Sequence, residues 1–351
     1  MGAIEGLFAN LPPIGIGAVD SFGSSFTDDL SLAKDVIVCT GYVAAESIIE
    51  LQARLEVFDN IQSFDLIVGM ARFDGLTTEQ HRCLKNLDEY LNSAGLGRVY
   101  VSMAIPIHAK LARFQGKIDT AIIGSSNLGS LTRATRQYEV DVRICDEPAL
   151  FLKFDEFMSK AKAGSRPFSE SIDKIKIKEN TPNPLENLVG VTKIDVSNVA
   201  VELSTVSFEI PVKVEPKSSM NVYFGKGRTS VNGRTLPRPW YEVELIVPKS
   251  ITEMSGYPTN PGSGEKFTVK TDDGYMFDCK TSGDFSKNLR SAGDLETLGR
   301  WLKGRLERSG ALELGKPVTI ETLKMYGRDT ITLTKALEGN YWYLDFGVEN
   351  D

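Results

Sequence analysis

The sequence predicts two domains of different class, an α/β layered domain followed by a mainly β domain. Three observations carry this reading. Over residues 35–162, short apolar runs alternate with stretches of helical period. The pattern breaks at Ala163-Gly164-Ser165-Arg166-Pro167, and Lys174 to Pro184 is charged, then rich in Pro and Asn. Beyond that stretch β-type alternation dominates, with a single long helical stripe. At 351 residues the chain has room for about two such domains.

In the first domain, Asp35 to Thr40 reads as a buried strand and Ala44 to Val57 as a helix with apolar Ile48, Ile49, Leu51 and Leu55. Phe64 to Met70 is a second strand, and Thr77 to Leu91 a second helix whose Thr77-Thr78-Glu79 start resembles a cap. Val99 to Met103 is a third strand. Lys110 to Phe114 and Asp119 to Ile123 are two short strands around Gln115-Gly116-Lys117, a hairpin signal. Gln137 to Ile144 alternates as a strand. Pro148 to Lys162 is a helix with Leu150, Phe151, Phe154 and Phe157 on one side. Residues 1–175 are assigned to this domain, 176–189 to a linker and 190–351 to the second domain.

There, strands are predicted at Val206 to Val214, Tyr241 to Val247, Lys266 to Lys270, Tyr275 to Cys279, Thr330 to Thr334 and Tyr341 to Phe346. One amphipathic helix, Leu295 to Arg308, places Leu295, Leu298, Leu302 and Leu306 on a stripe and stops at Gly310.

Composition narrows the function classes. Hydrophobic residues make up 41% and charged residues 25%, as in ordinary globular proteins. No apolar run approaches the roughly 20 residues needed to span a bilayer. The start lacks the pattern of a signal peptide, and Gly6 stands where a myristoylation motif wants Ser or Thr. Cytoplasmic location and no membrane partner are therefore expected. Cys39, Cys83, Cys145 and Cys279 are scattered, which argues for reduced thiols rather than a zinc site or disulfide framework. A net charge of −7 does not advertise nucleic-acid binding, but contact depends on a local basic face and not on the total.

The chemistry concentrates at Ile107-His108-Ala109-Lys110. Residues two apart in a strand share a face, so His108 and Lys110 are expected to project together. The return arm of the hairpin leads into Gly124-Ser125-Ser126-Asn127, bringing Asn127 back to the same end. Lys and Asn can bind the non-bridging oxygens of a phosphate while His attacks phosphorus. A lone strand histidine is ordinarily a packing or surface residue, and Gly-Ser-Ser-Asn alone is a common turn; their joint placement on two arms of one hairpin is what points to a site. His81, within Glu79-Gln80-His81-Arg82, reads as part of a solvated helix face.

His108-x-Lys110 followed by Gly124-Ser125-x-Asn127 resembles the signature of the phospholipase D superfamily. The resemblance implies that His108 is a covalent nucleophile and that Lys110 and Asn127 hold the phosphate, assisted by Ser125. It also implies that Glu139 hydrogen-bonds the nucleophilic imidazole and fixes its tautomer. Gln115 stands where that family carries an Asp, and the Gly-Ser-x-Asn block is displaced by two residues. No catalytic role is assigned to the nearby Asp119. No metal or other cofactor is implied. Two-step cleavage of this kind needs a second histidine as acid and base. The chain has two histidines and only one His-x-Lys, so the second copy is expected from an identical chain across a two-fold axis.

In the second half, GKGRTSVNGRTLPRPW from Gly225 is a Gly-rich loop carrying Lys226, Arg228, Arg234 and Arg238. A second loop, Lys280 to Arg290, carries Lys287, Asn288 and Arg290. These residue types reach base edges and phosphate oxygens. Pro239-Trp240-Tyr241-Glu242-Val243, TDDGYMFDCK, LGRWLKGRL, Met325 to Asp329 and Tyr343 to Phe346 resemble the C-terminal domain of certain phospholipase D-type restriction endonucleases, which is similar to the plant B-three pseudobarrel. That resemblance implies two loop arms gripping the major groove of double-stranded DNA.

The expected fold is thus an α/β phospholipase D-like catalytic domain followed by a mainly β pseudobarrel. The expected function is a homodimeric type II-like restriction endonuclease, dimeric through the N-terminal domain and independent of metal. Some relatives work with a helicase-like ATPase subunit, an additional partner by resemblance. The alternatives are a phospholipid-hydrolysing phospholipase D-type enzyme and a DNA-binding protein with a dead catalytic domain.

Overall fold

The run expected at 35–40 becomes a strand because Val36, Val38 and Cys39 bury their side chains in the middle of a sheet. The computed structural model describes residues 3–9, 11, 14–16, 20–132, 137–178, 183–195, 203–229, 233, 235–259 and 265–348. These form two compact units, 1–181 and 182–351.

The first unit runs β1 (Ile4–Phe8), α1 (Phe22–Leu30), β2 (Ala33–Thr40), α2 (Ala45–Val57), β3 (Ser63–Val68), α3 (Ala71–Asp74), β4 (Leu76–Thr77) and α4 (Thr78–Ser93). It continues with β5 (Val99–Ser102), β6 (Leu111–Gly116), β7 (Thr120–Gly124), β8 (Val140–Cys145), α5 (Pro148–Ala163), β9 (Ser165–Pro167) and β10 (Ile177–Lys178). One sheet takes the order β1-β8-β7-β6-β2-β3-β5-β9. Its centre, β2-β3-β5, is parallel, and β6, β7 and β8 extend it antiparallel. Alternation along each strand serves two layers. Cys39, Ile67, Leu111, Ala121 and Ile144 pack with Phe151, Met158 and Ala161 of α5. Val36, Val38, Leu66 and Val68 face the other way, and α2 and α4 lie side by side. Thr77 caps α4 through a reciprocal pair with Gln80.

Some of this order escaped the sequence pattern. β1 and α1 were not expected, the latter because FGSSFTDDL has few apolar residues from which to read a period. Ser21 and Ser24 nevertheless cap each other at the start of α1, and Phe26 and Leu30 are fully buried. His81 is not on a solvated face: its ring packs 5.2 Å from that of buried Phe168, and burial lowers its pKa. Residues 177–178 pair with 76–77, while Leu185 and Leu188 are buried, so the stretch 176–189 is divided between the two units.

The second unit contains β11 (Thr192–Lys193), β12 (Leu203–Pro211), β13 (Arg228–Thr229), β14 (Thr235–Leu236), β15 (Leu245–Ile246), α6 (Lys249–Thr252), β16 (Phe267–Thr271) and β17 (Tyr275–Ser282). Then come β18 (Asn288–Ser291), α7 (Thr297–Arg308), α8 (Ile320–Tyr326), β19 (Thr330–Ala336) and β20 (Tyr341–Asp345). Its sheet runs β12-β19-β20-β16-β17-β18-β15, with β11 also on β17, and only β16 and β20 pair in parallel. The inner face buries Phe208, Ile210, Val269, Phe277, Cys279, Leu289, Ile331, Leu333 and Leu344.

Two expectations change here. The strand expected at 241–247 is short, because Glu242 N–H turns back to Pro239 O and Glu244 N–H goes to Ser219 O. The helix expected to be amphipathic is buried from Thr297 to Leu306. Its cations have partners in place: Arg300 pairs with Glu296 and Arg305 with Asp272, the latter at 2.5 Å, while Lys303 Nζ donates to the Trp240 carbonyl at 2.5 Å.

Candidate active site

His108 and Lys110 lie just before β6, in the segment that follows β5, rather than within the strand. Two close approaches fix that segment. Ile107 N–H donates to Gly69 O at 3.3 Å, and a Cβ on Gly69 would fall 1.9 Å from Ile107 O, so only glycine fits at the end of β3. Lys110 O receives the N–H of Gly124 at 3.4 Å, which ties the His-x-Lys segment to the Gly-Ser-x-Asn block across the β6–β7 hairpin.

Lys110 Nζ sits 3.1 and 3.2 Å from the two ring nitrogens of His108 and donates to His108 O at 2.9 Å. Burial lowers the Lys110 pKa, against the opposing charge of Glu139. The imidazole has two further neighbours. Tyr42 meets it edge-on at 5.5 Å, and a Cβ on Gly41 would come within 2.9 Å of His108 Cδ2. The Tyr42 hydroxyl is itself held by Asp74 Oδ2 at 2.6 Å.

Each residue of Gly124-Ser125-Ser126-Asn127 has a separate task. A Cβ on Gly124 would fall 2.3 Å from Asp141 Oδ1. Ser126 is buried and binds that carboxylate twice, through N–H at 2.9 Å and hydroxyl at 2.6 Å. Asn127 Oδ1 accepts the N–H of Tyr42 at 3.0 Å and lies 3.3 Å from the Thr40 hydroxyl. A backbone N–H only donates, so the amide oxygen must point inward, which leaves Nδ2 as the donor for a ligand. Ser125 donates its hydroxyl to Glu139 Oε2 and accepts Val140 N–H at 3.0 Å.

His108, Lys110, Ser125, Asn127 and Glu139 line one cleft of about 720 Å³, with Phe154 and Phe157 of α5 on its apolar side. Among the described residues the Glu139 carboxylate bonds Ser125 and not His108, which differs from the expected contact. Thr40, Gly41, Tyr42, Asp74 and Asp141 complete the surroundings and were missed by motif reading, since they come from other strands and loops. Asp119 is structural: with Asp155 it neutralises buried Arg113, at 2.8 and 3.2 Å. Among the described residues, no group of three or more His, Cys, Asp and Glu side chains is placed to hold a metal ion. No described helix is long and apolar enough to cross a membrane.

In the second unit, Lys226 is exposed at the start of its loop. β13 and β14 turn that loop into a small hairpin. Arg228 and Arg238 both bind Glu242 Oε1 at its base, and Arg238 also reaches Glu244 at 2.9 Å. Arg238 is thereby mostly buried, whereas Arg228 stays half exposed. Arg234 lies outside the described residues. On the second loop, Lys280 pairs opposite Arg290 and Ser282 opposite Asn288, so these four share the outward side of β17 and β18. Lys287 lies 4.0 Å from Asp284.

Residues 22–179 match the family described as the NgoFVII restriction endonuclease N-terminal phospholipase D domain. Residues 198–337 match the NgoFVII C-terminal B3-like DNA-binding domain. No curated protein matches the chain. Among solved structures, the phospholipase D family member Nuc from Salmonella typhimurium is 15% identical, covering 48% of this chain and 98% of its own, with a TM-score of 0.34. NucT from Helicobacter pylori is 14% identical over 47% of this chain and 99% of its own, with a TM-score of 0.34. Phosphatidylserine synthase from Haemophilus influenzae is 15% identical over 48% and 41%, with a TM-score of 0.33. A B3-like DNA-binding domain after the catalytic one disfavours the phospholipid-hydrolysing alternative. The two family matches follow one another along the chain, which therefore belongs to the NgoFVII family of restriction endonucleases, phosphodiester-cleaving enzymes with a phospholipase D nuclease domain and a B3-like DNA-binding domain.

Proposed function

We propose that the chain cleaves double-stranded DNA at or near a short recognition sequence through a covalent phosphohistidine on His108, without a metal ion, in a site shared by two copies. The observation that carries this is the convergence of His108, Lys110 and the Nδ2 of Asn127 on one cleft. A ring nitrogen of His108 attacks phosphorus while Lys110 and Asn127 neutralise the non-bridging oxygens. The P–O bond opposite breaks, and its oxygen takes a proton from the second copy's histidine. Water then attacks the phosphohistidine, giving its proton to that same imidazole, and the P–N bond breaks. The products are a phosphomonoester and an alcohol, and both histidines return to their starting state.

Ser125 and Glu139 act as a bonded pair beside this centre, and Glu139 also supplies negative charge near Lys110. Lys226, Arg228, Lys287, Asn288 and Arg290 contact DNA from the two loops of the second unit, and Arg238 shapes the first loop. The protein works in the cytoplasm, and by resemblance a helicase-like ATPase is a further partner.

The test is cleavage of end-labelled DNA in EDTA, with an alkaline quench to trap labelled protein. Wild type should cut and carry label, and His108→Ala should do neither while still binding DNA. Cutting at wild-type rate by His108→Ala, or strict dependence on added Mg²⁺ without an ATPase present, counts against the reading. Repeating the assay with cell extract reads the need for another subunit.

A further inference from the structure

The turn between β17 and β18 holds an aromatic ring outward at a conformational cost. Phe285 has φ +58° and ψ 24°, and Ser286 follows at φ +56°. Two consecutive non-glycine residues in the left-handed region are strained, and a bulky one is a genuine outlier. Such a backbone persists only where its surroundings enforce it. Ser286 is buried, its N–H donates to Gly283 O at 3.1 Å, and its carbonyl accepts the hydroxyl of buried Tyr257 at 3.3 Å. Lys287 O then accepts Val247 N–H at 2.7 Å. The result is a Phe285 ring 66% exposed, with Lys249 Nζ 4.6 Å above its centre. Folding gains little from a phenyl ring kept in water by a strained backbone.

What surrounds the ring says what it meets. The strands it joins carry Lys280, Ser282, Asn288 and Arg290 on their outward side, donors suited to base edges and phosphates. A phenyl ring exposed in the turn that joins these strands offers no hydrogen bond. Within a major groove, the apolar group it can recognise is the C5-methyl of thymine.

We propose that Phe285 is a specificity-determining residue that packs against a thymine methyl in the major groove. This rests on the reading of the β17–β18 loop as a DNA-contacting arm. Three things follow. The recognition sequence contains a T·A pair read by this loop. Removing that methyl weakens binding by about fourfold, the worth of one buried methyl-sized group. Relieving the backbone strain by Phe285→Asn stabilises the fold while erasing the preference.

The experiment uses the full-length chain. Selection from a random duplex library gives the motif, and deoxyuridine then replaces each thymine in turn. In wild type one replacement should cost about fourfold in affinity. In Phe285→Asn and Phe285→Ala that cost should vanish, whereas Phe285→Leu should keep part of it. Phe285→Asn should also melt at or above the wild-type temperature, which shows that the loss is not misfolding. A motif without a T·A pair overturns the proposal, as does a deoxyuridine penalty of equal size in wild type and Phe285→Ala. A loss of every motif position together in Phe285→Asn, with the fold intact, also overturns it and points to a protein-contacting loop. Failure of wild type to enrich any motif would instead sink the assignment of the loops as DNA arms.

Discussion

At the residue scale, Gly41 is the position where least change should do most harm. A Cβ there would press 2.9 Å from His108 Cδ2 and so displace the imidazole proposed as nucleophile, while meeting Asn127 Oδ1 only at ordinary contact, 3.4 Å. Gly41→Ala should reduce single-turnover cleavage by about 10²-fold, the scale of a misplacement near 1 Å, with DNA affinity unchanged. Retention of full rate would show that His108 is positioned otherwise. Lys110→Ala and Asn127→Ala should each cost about 10²-fold or more, because each removes a donor to developing charge. The pH profile carries a further test. Lys110 binds phosphate when protonated, and burial lowers its pKa below that of a free lysine. Its charge, and the rate, should therefore fall on the alkaline side before an exposed lysine would titrate. A single-turnover rate that stays flat to about pH 10, near the ordinary lysine value, contradicts this. Among these residues His108, Lys110, Ser125 and Asn127 were legible from two short motifs. Tyr42, Asp74 and Asp141 were not, since nothing in linear spacing relates Tyr42 to Asn127 across 85 residues.

At the scale of elements, the β6–β7 hairpin has the two motifs at its two open ends and is pinned to α5 by one buried cation. Arg113 is 2% exposed, binds Asp119 and Asp155, donates to Phe114 O and Thr120 O, and lies 4.1 Å from the centre of the Phe151 ring. Arg113→Met keeps the volume but removes a donor from two backbone carbonyls and from two partly exposed carboxylates, of which Asp119 still accepts Gly116 N–H at 3.2 Å. The loss should be about 1–3 kcal/mol, since water screens the partly exposed carboxylates, read as a lower denaturation midpoint at neutral pH. A change within about 0.5 kcal/mol, the scale of an inconsequential surface substitution, would mean that α5 is held by its apolar contacts alone. This hairpin was predictable, since Gln115-Gly116-Lys117 separates two apolar runs. Helix α7 was only half predictable. Its leucine stripe gave the helix, but that Arg300, Lys303 and Arg305 are buried too depends on Glu296, Trp240 and Asp272, whose partnership spans up to 63 residues.

At the scale of the molecule, the residues proposed to cut lie in the unit 1–181 and the loops Gly225 to Arg238 and Lys280 to Arg290 in the unit 182–351. A fragment of residues 182–351 should bind one short duplex sequence as a monomer. Residues 1–181 should form a dimer with weak, non-specific nuclease activity. Specific binding by the first should exceed its non-specific binding by roughly 10³-fold or more at moderate salt, since base contacts add to the phosphate term. Random-duplex selection and sedimentation on each fragment decide this; a motif enriched by the N-terminal fragment would reverse the assignment.

The sequence by itself determined the order of classes, α/β then β-rich, because strand and helix periods are local properties of apolar spacing. It also picked out the trio proposed to react, because His-x-Lys and Gly-Ser-x-Asn are each confined to a few residues. The tertiary structure decided which groups hold that trio in place. It turned the Asn127 amide by a backbone N–H from the segment after β2, gave Glu139 to Ser125 rather than His108, and committed Arg238 to Glu242 and Glu244. It also set Phe285 outward against its backbone preference. The first two depend on which strands become neighbours, and that outcome belongs to the packing of the whole sheet and not to any short stretch of residues.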